Sequence, residues 1–138
     1  MHALLDEAIY EIELMNLKNY NPTNPLENRK YIDDICTLRF KMYAESGHSE
    51  AILTLINEER IKDVIVFVPD DHSKGEYYSM RKGNSVCSNV NVDIIKRYEF
   101  IVIDKFSQFS GTSIQNIDKY IYSLASTYQF YPIVIKIG

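Results

Sequence analysis

Apolar residues form three dense runs in the part of this chain that follows residue 60. In residues 63–72, DVIVFVPDDH, consecutive Val, Ile and Phe residues end abruptly at Pro69 and a polar cluster. Such a run is typical of a strand that is buried on both faces. EFIVIDKF at 99–106 has the same pattern, and alternating isoleucines in IVIKIG at 133–138 predict a third strand.

The first stretch, residues 2–17, shows helical periodicity instead. Carboxylates separate apolar residues that recur every three or four positions, which predicts an amphipathic helix. The proposed inner stripe is Leu5, Ala8, Ile12 and Met15. The alternation within residues 9–14 would also fit a strand. Residues 19–28, rich in proline and asparagine, indicate a turn or short linker.

Two more helices are predicted before residue 60. Helical spacing resumes at Arg29 and stops at Gly47, where glycine suits a left-handed helix cap. The stripe of this helix is Ile32, Ile35, Cys36, Arg39, Phe40 and Tyr43. Ser49 is the expected N-cap of the next helix, which carries Glu58 and Glu59 on its solvent side.

The stretches between the buried strands are less distinct. GEYYSMRKG at 75–83 alternates in character and predicts an edge strand, whereas 84–98 would fit a strand, a short helix or both. QFSGTS at 108–113 predicts a loop with an N-cap at Thr112 or Ser113. A helix follows and ends before Pro132, with an apolar face made of Ile114, Ile117, Ile121 and Leu124.

Together these elements predict a single globular domain over residues 1–138, mainly helical over 1–60 and mainly sheet plus one helix over 61–138. The predicted fold class is α/β, or α+β. It has a mixed β-sheet of about four to five strands, with N-terminal helices and a C-terminal β-α-β unit packed on it. The long crossover in that unit implies parallel pairing. A chain of 138 residues can bury a core without disulfides.

Charge and composition argue against nucleic-acid binding, cysteine-based zinc or disulfide sites, and membrane insertion. A net charge of −4 gives no overall basic field, so nucleic acid is an unlikely partner, and the acidity suits a basic one. Cys36 and Cys87 have neither the spacing of a zinc site nor that of a disulfide framework. No apolar run is long enough to cross a bilayer and no basic leader precedes one, so we expect no membrane contact and a cytoplasmic location.

Candidate chemistry lies where the two buried strands end. Asp70, Asp71 and His72 follow the first, and Asp104 with Lys105 closes the second. Ligands bind beyond the carboxyl ends of parallel strands. If these strands are parallel neighbours, Asp70, Asp71 and Asp104 could bind Mg²⁺, with His72 or Lys105 assisting catalysis. The alternative is that Pro-Asp-Asp-His simply makes a turn, for which it has suitable residues.

The element order from Ser49 onward resembles the core of the restriction-endonuclease-like nucleases. That resemblance implies an acid and a lysine one residue apart on one strand, both facing a metal. Here Asp104 is directly beside Lys105, and strand alternation sends adjacent side chains to opposite faces. The chain is therefore not assigned to that family. Glycine-rich phosphate loops and the GxSxG, HExxH and paired CxxC motifs are absent from the sequence.

Tyrosine is frequent, with 11 residues and no tryptophan. Tyrosine and arginine are enriched at protein interfaces, so these residues are candidates for binding. The candidates are Tyr77, Tyr78, Arg81, Lys82, Tyr120 and Tyr122. Aromatic residues among basic ones would equally stack on single-stranded nucleic acid, or the rings would fill the edge of the core.

The leading hypothesis is a non-enzymatic, cofactor-free module that binds another protein through an acidic and tyrosine-rich surface. An immunity protein that neutralises a toxin is one such type, and a phage inhibitor of a bacterial defence system is another. The alternative is a small metal-dependent nuclease or hydrolase that uses Mg²⁺ and the strand-end carboxylates. A third hypothesis is an assembly subunit, including a homo-oligomer, whose first helix pairs with another chain.

Overall fold

Five parallel strands form the centre of this α/β fold. The computed structural model describes residues 2–19, 25–41, 48–88, 97–128 and 130–138. The strands of the sheet are Thr37–Phe40 (β1), Val64–Phe67 (β2), Ser85–Cys87 (β3), Phe100–Ile103 (β4) and Ile133–Ile137 (β5). Their spatial order is β1-β5-β4-β2-β3. Every described pairing is parallel, which confirms the predicted α/β class but corrects the predicted mixed sheet, because each described connection between neighbouring strands is a crossover.

Within the described residues, four α-helices cover this sheet. They are His2–Asn19 (α1), Pro25–Tyr31 (α2), His48–Asn57 (α3) and Gly111–Tyr128 (α4). The connection from β1 to β2 through α3 crosses the sheet in the opposite direction from that between β4 and β5 through α4. Right-handed crossovers place two such helices on opposite faces. Because α1 packs against α3 and α2 against α4, both faces are covered.

The two densest apolar runs, β2 and β4, are neighbours near the middle of the sheet. Val64 pairs with Phe100 and Phe67 with Ile103, and every residue of both strands is buried. Strands covered on both faces need apolar residues at consecutive positions, which is why the sequence predicts these two correctly. From here β2 connects onward to β3 and β4 to β5, on opposite sides. The sheet therefore has a topological switch point between β2 and β4.

The long helix predicted from Arg29 to Gly47 is wrong beyond Cys36. The helix begins earlier, as α2, continues as a five-residue π-helical segment to Cys36, and gives way to β1. β1 pairs along its whole length with β5, which would otherwise be an unpaired edge. That stabilising partner lies almost 100 residues away, so local periodicity does not reveal it. The expected Tyr43 and Gly47 positions lie outside the described residues.

The edge strand predicted at 75–83 is also wrong. A 3₁₀ helix occupies His72–Tyr77, and β3 begins only at Ser85. The cause is local, because the Asp70 carboxylate accepts hydrogen bonds from both the backbone N–H and the hydroxyl of Ser73, at 2.8 and 2.9 Å. Such a bond holds the chain in a turn. Most of the ambiguous stretch at 84–98 lies outside the described residues.

Two predicted caps differ as well. Ser49 lies within the first turn of α3, and its hydroxyl points to the end of β4 instead of capping the helix. At α4 the cap is Ser110, whose hydroxyl accepts a hydrogen bond from the Ser113 N–H at 3.1 Å, in place of the predicted Thr112 or Ser113. No helix in the described part of the chain is long and apolar enough to span a membrane.

Candidate functional site

The carboxyl edge of β2 and β4 brings together the regions that the sequence marked for chemistry. Because β2 and β4 are parallel neighbours, Asp70 and Asp104 follow strand ends on the same edge. The Asp104 N–H donates to the Phe67 carbonyl at 3.0 Å, so Asp104 still lies beside the end of β2. The topology therefore satisfies the condition on which the strand-end site depended.

Asp104 is the buried acid of this edge, with only 3% of its surface exposed. Its Oδ2 accepts hydrogen bonds from the hydroxyls of Tyr77 and Ser49, both at 2.7 Å. Its Oδ1 accepts the backbone N–H of Lys105 at 2.9 Å. Burying a carboxylate is costly unless it is hydrogen-bonded, and these three donors meet that need. Burial, followed by the charge of Asp104, raises the pKa of Tyr77, which keeps this hydroxyl a donor.

Lys105 links this acid to the turn after β2. Its backbone is left-handed, with φ 56° and ψ 46°, which is unfavourable for a residue other than glycine by about 1–2 kcal/mol. Its Nζ donates to the Ser73 hydroxyl at 2.9 Å and to the Glu76 carboxylate at 2.8 Å. The hydrogen bond to Glu76 raises the pKa of Lys105. The hydrogen bond that the Ser73 backbone N–H donates to Asp70 lowers the pKa of Asp70. A continuous polar network results.

Asp71 and His72 do not join this network. The Asp71 carboxylate accepts a hydrogen bond from the Ser88 hydroxyl, just beyond β3, and pairs with Lys74 at 3.2 Å. The Ser88 hydrogen bond is the main reason that the pKa of Asp71 is lowered. His72 is exposed at the start of the 3₁₀ helix. Adjacent residues of the Pro-Asp-Asp-His turn thus contact different neighbours, as its turn interpretation implies.

The predicted metal ligands therefore have separate partners. Asp70 accepts from Ser73, Asp71 from Ser88, and Asp104 from two hydroxyls and an amide. Among the residues that the structure describes, no group of three or more His, Cys, Asp or Glu side chains is placed to hold a metal ion. The catalytic role of Asp70, Asp71, His72, Asp104 and Lys105 stays a prediction. What the geometry supplies is a fixed, hydrogen-bonded carboxylate that joins three segments: the end of β4, α3 and the 3₁₀ helix.

The candidate tyrosines do not gather on one surface. Tyr77 was predicted to bind a partner, but it lies in the core because its hydroxyl is needed by Asp104. Tyr120 packs edge-on against Phe67, with ring centroids 6.1 Å apart. The Tyr122 hydroxyl instead bonds both carboxylate oxygens of Asp33, at 2.8 and 2.9 Å. These two rings leave α4 on different sides.

Tyr78 is the exposed member of the set, at 89%. Arg81, which follows it, pairs with Glu59 at 2.8 Å, and Lys82 is exposed. One exposed ring with two cations is a small contact area for a protein partner, which usually covers about 800 Å² on each side. Tyr78, Arg81 and Lys82 are therefore too small a surface to form a protein interface by themselves.

A larger apolar surface lies on α1. Seven large hydrophobic residues are exposed in the described chain, and five of them are on this helix. We define the outer face of α1 as Leu4, Glu7, Tyr10, Glu11, Leu14, Met15 and Leu17. The opposite face buries Leu5, Ile9 and Ile12. Leu5 and Ile12 confirm the predicted stripe, whereas Met15 is exposed and Ile9 takes the central core position.

The charges on α1 divide in the same way. Asp6 and Glu13 both pair with Arg60, which follows α3. The distance between the Glu13 carboxylate and the Arg60 guanidinium is 2.9 Å. Glu7 and Glu11 are exposed one turn apart, and no described residue forms an ion pair or hydrogen bond with either side chain. Like charges at this spacing weakly destabilise a helix. The outer face thus combines apolar side chains with two unneutralised carboxylates.

The sequence contains a sign of this face that periodicity analysis missed. One stripe of an 18-residue helix buries only part of its circumference, yet apolar residues also stand at Leu4, Tyr10, Leu14 and Leu17. The surplus indicates a second apolar surface. Compared with known proteins, the chain matches no family model, no curated protein and no solved structure.

Proposed function

We propose that this chain is a non-enzymatic protein-binding module whose contact surface is the outer face of α1. The supporting observation is that five of the seven exposed large hydrophobic residues in the described chain lie on this helix. Isolated exposed apolar residues are ordinary, but a concentration rimmed by polar groups is typical of interaction sites. Leu17, at 84% exposure, gains most from being covered. An amphipathic helix that enters an apolar groove is a recurring recognition mode.

The partner that fits this face is a different protein with basic residues beside its groove. Glu7 and Glu11 lie between the exposed apolar side chains, without a cation among the described residues. Lysine or arginine on the partner would relieve their repulsion and fix the orientation of binding. A second copy would instead bring carboxylates toward carboxylates at a net charge of −4 per chain, which disfavours self-pairing.

We keep the finer identity predicted from the sequence, an immunity protein or an inhibitor of a defence-system component in the cytoplasm. Both types act by stoichiometric binding, for which a folded domain with a single binding surface is sufficient. The partner would then be a toxin or a defence protein. The free thiols of Cys36 and Cys87 suit a reducing compartment.

Site-specific photo-crosslinking in the source cell tests this proposal. A photoreactive phenylalanine analogue replaces Leu14 in one strain and Tyr78 in another. We expect one discrete heterologous adduct from position 14 and none of the same mass from position 78. An adduct between two copies of this chain, or no adduct from position 14, would refute the proposal. Light scattering of the purified chain should give the monomer mass.

A further inference from the structure

A cavity of about 260 Å³ lies between α2 and α4, away from both the outer face of α1 and the carboxyl edge of the sheet. Its α4 wall consists of residues at positions i, i+3, i+4 and i+7, which share one face of a helix. These are Lys119, Tyr122, Ser123 and Ser126. The facing wall includes Asn28 and Arg29 of α2.

The charged groups of the lining are both cationic. Arg29 and Lys119 contribute positive charge, and none of the lining residues is acidic. The Arg29 guanidinium lies over the Tyr122 ring, 5.0 Å from its centroid, and no described carboxylate pairs with it or with Lys119. Burial raises the pKa of Tyr122, and the carboxylates of Asp33, which bonds the Tyr122 hydroxyl, and Asp118 add to this rise, but neither residue lines the cavity. The electrostatics of this space favour an anion.

Asn28 adds a side-chain amide donor to these cations. Only 5% of the residue is exposed, and its Oδ1 accepts a hydrogen bond from the buried Tyr131 hydroxyl at 2.6 Å. That bond fixes the orientation of the amide, so the Nδ2 group is left to donate. Among the described residues Nδ2 donates no hydrogen bond, and it is not one of the fully buried unpaired atoms, so it can take an acceptor from solvent or from a ligand. A ligand oxygen in the cavity would supply it.

Two serines keep this space open. Ser123 and Ser126 stand where larger residues on α4 would fill the gap toward α2. Their hydroxyls donate back to the carbonyls of Tyr120 and Tyr122, at 2.7 and 3.1 Å. Because their protons are used in these bonds, the two hydroxyls do not donate to an anion, and its donors would be Arg29, Lys119 and Asn28. Small side chains at these positions make room that helix packing alone would close.

We propose that this cavity binds a phosphate group, either as the free ion or as part of a small phosphorylated molecule. Two cations suit the double negative charge of phosphate, and its several oxygens can accept from Arg29, Lys119 and Asn28 together. Arginine provides the planar donor pair that phosphate oxygens match well. The volume exceeds that of phosphate alone and lies just below the usual range for small-molecule pockets, of about 300–1,000 Å³.

Titration of the folded chain with inorganic phosphate tests the site, with sodium chloride at equal ionic strength as the reference. Nitrogen-15 NMR follows the Asn28 side-chain amide, which we expect to shift in a saturable way with phosphate and not with chloride. Ribose 5-phosphate forms a second arm, and tighter binding than phosphate would identify an organic phosphate as the ligand. No saturable shift in either arm would overturn the proposal.

Matched variants separate the site from general charge effects. Lys119→Gln should weaken phosphate binding about tenfold, the equivalent of one charge-assisted hydrogen bond. Lys30→Gln removes the same charge from an exposed position next to Arg29 that does not line the cavity, and it should leave the affinity nearly unchanged. Equal losses in the two variants would show unspecific attraction and contradict the site. Ser123→Leu, which fills the cavity, should abolish binding while the NMR spectrum remains folded.

Discussion

The carboxyl edge of the sheet has residue types typical of a reactive site, but their polar groups already have partners. The outer face of α1 has ordinary residue types, but its apolar side chains are exposed. The edge has the acids, lysine and histidine expected of a reactive site, yet its central carboxylate is 3% exposed and accepts three hydrogen bonds. The helix has ordinary leucines and glutamates, yet it leaves its apolar side chains in solvent. At the carboxyl edge, the types of residue suggested catalysis. At the outer face of α1, the lack of contacts for the apolar side chains favours binding of a partner.

The difference follows from where each group finds its partners. A buried polar group that is fully hydrogen-bonded has little left to offer a ligand, so the edge stabilises the fold. An exposed apolar group or an unneutralised charge has free energy to gain from a partner. We therefore expect the Asp104 network to contribute stability, and we propose that the outer face of α1 contributes recognition. Changes confined to one of the two regions test this division.

Asp104→Ala should give the largest loss of stability. It leaves the hydroxyls of Tyr77 and Ser49 without their acceptor, which we expect to lower the free energy of unfolding by about 3–5 kcal/mol. Urea denaturation measures the change. Asp71→Ala is the control, because that carboxylate lies outside the network, and it should shift the midpoint much less. Similar shifts in the two variants would contradict a special role for Asp104.

Tyr77→Phe should have an intermediate effect. The ring keeps its place in the core, and only one of the two hydroxyl donors to Asp104 Oδ2 is lost. We expect the free energy of unfolding to fall by about 1–2 kcal/mol. The same urea titration measures it, with Tyr78→Phe as the exposed control. A variant as stable as the wild type would show that the hydroxyl is dispensable.

Alkaline pH should destabilise the wild type more than Tyr77→Phe. Burial raises the pKa of Tyr77 in the folded state, so its stabilising contribution is fully present below pH 10 and is lost as pH rises above that unfolded value. One pH unit above it, this group alone costs the wild type about 1.4 kcal/mol. Urea midpoints at pH 9 and 11 for both proteins measure the difference. Parallel losses would contradict the effect of burial on this hydroxyl.

Leu14→Glu and Leu17→Glu should barely change stability. Both side chains are exposed, so we expect the free energy of unfolding to stay within about 0.5 kcal/mol of the wild type. Ile9→Val, on the buried face of the same helix, should cost about 1 kcal/mol and serves as the matched control. A large loss from either glutamate would mean that the outer face is covered in the isolated chain.

Added metal should have the smallest effect. The carboxylates of Asp70, Asp71 and Asp104 bond to different neighbours, so millimolar Mg²⁺ or Mn²⁺ should not raise the melting temperature by mass action. Calorimetric melting with metal and with a chelator checks this. A rise that Asp104→Asn abolishes would favour the metal-dependent hydrolase over the binding module.

Sequence reasoning recovered the elements whose cause is local. β2 and β4 are continuous Val, Ile and Phe runs because both of their faces are covered, and α4 shows a regular buried stripe at Ile117, Ile121 and Leu124. Such patterns are readable without knowing the partners. They also located Asp70 and Asp104 at one edge of the sheet, once parallel pairing was assumed.

It failed where the cause is distant, and also at the 3₁₀ helix His72–Tyr77, where the cause is the local hydrogen bonding of Ser73 to Asp70. β1 depends on its pairing with β5, and four residues of mixed character match a helix equally well. Ser49 and Tyr77 contact Asp104 across 55 and 27 residues, so no local motif identifies them as its partners. For Ser49 a plausible cap concealed a longer-range hydrogen bond. For Tyr77 an apparent strand concealed a 3₁₀ helix that turns its ring into the core.

The most direct test is the affinity of the two variant classes for the partner identified by crosslinking. Isothermal titration calorimetry with the purified partner would compare wild type, Leu14→Glu and Tyr77→Phe. We predict that Leu14→Glu weakens binding at least about a hundredfold at unchanged stability, as expected for a central interface residue. Tyr77→Phe should bind like the wild type despite its lower stability. Normal binding by Leu14→Glu, or loss of binding by folded Tyr77→Phe, would contradict the separation of recognition from stability.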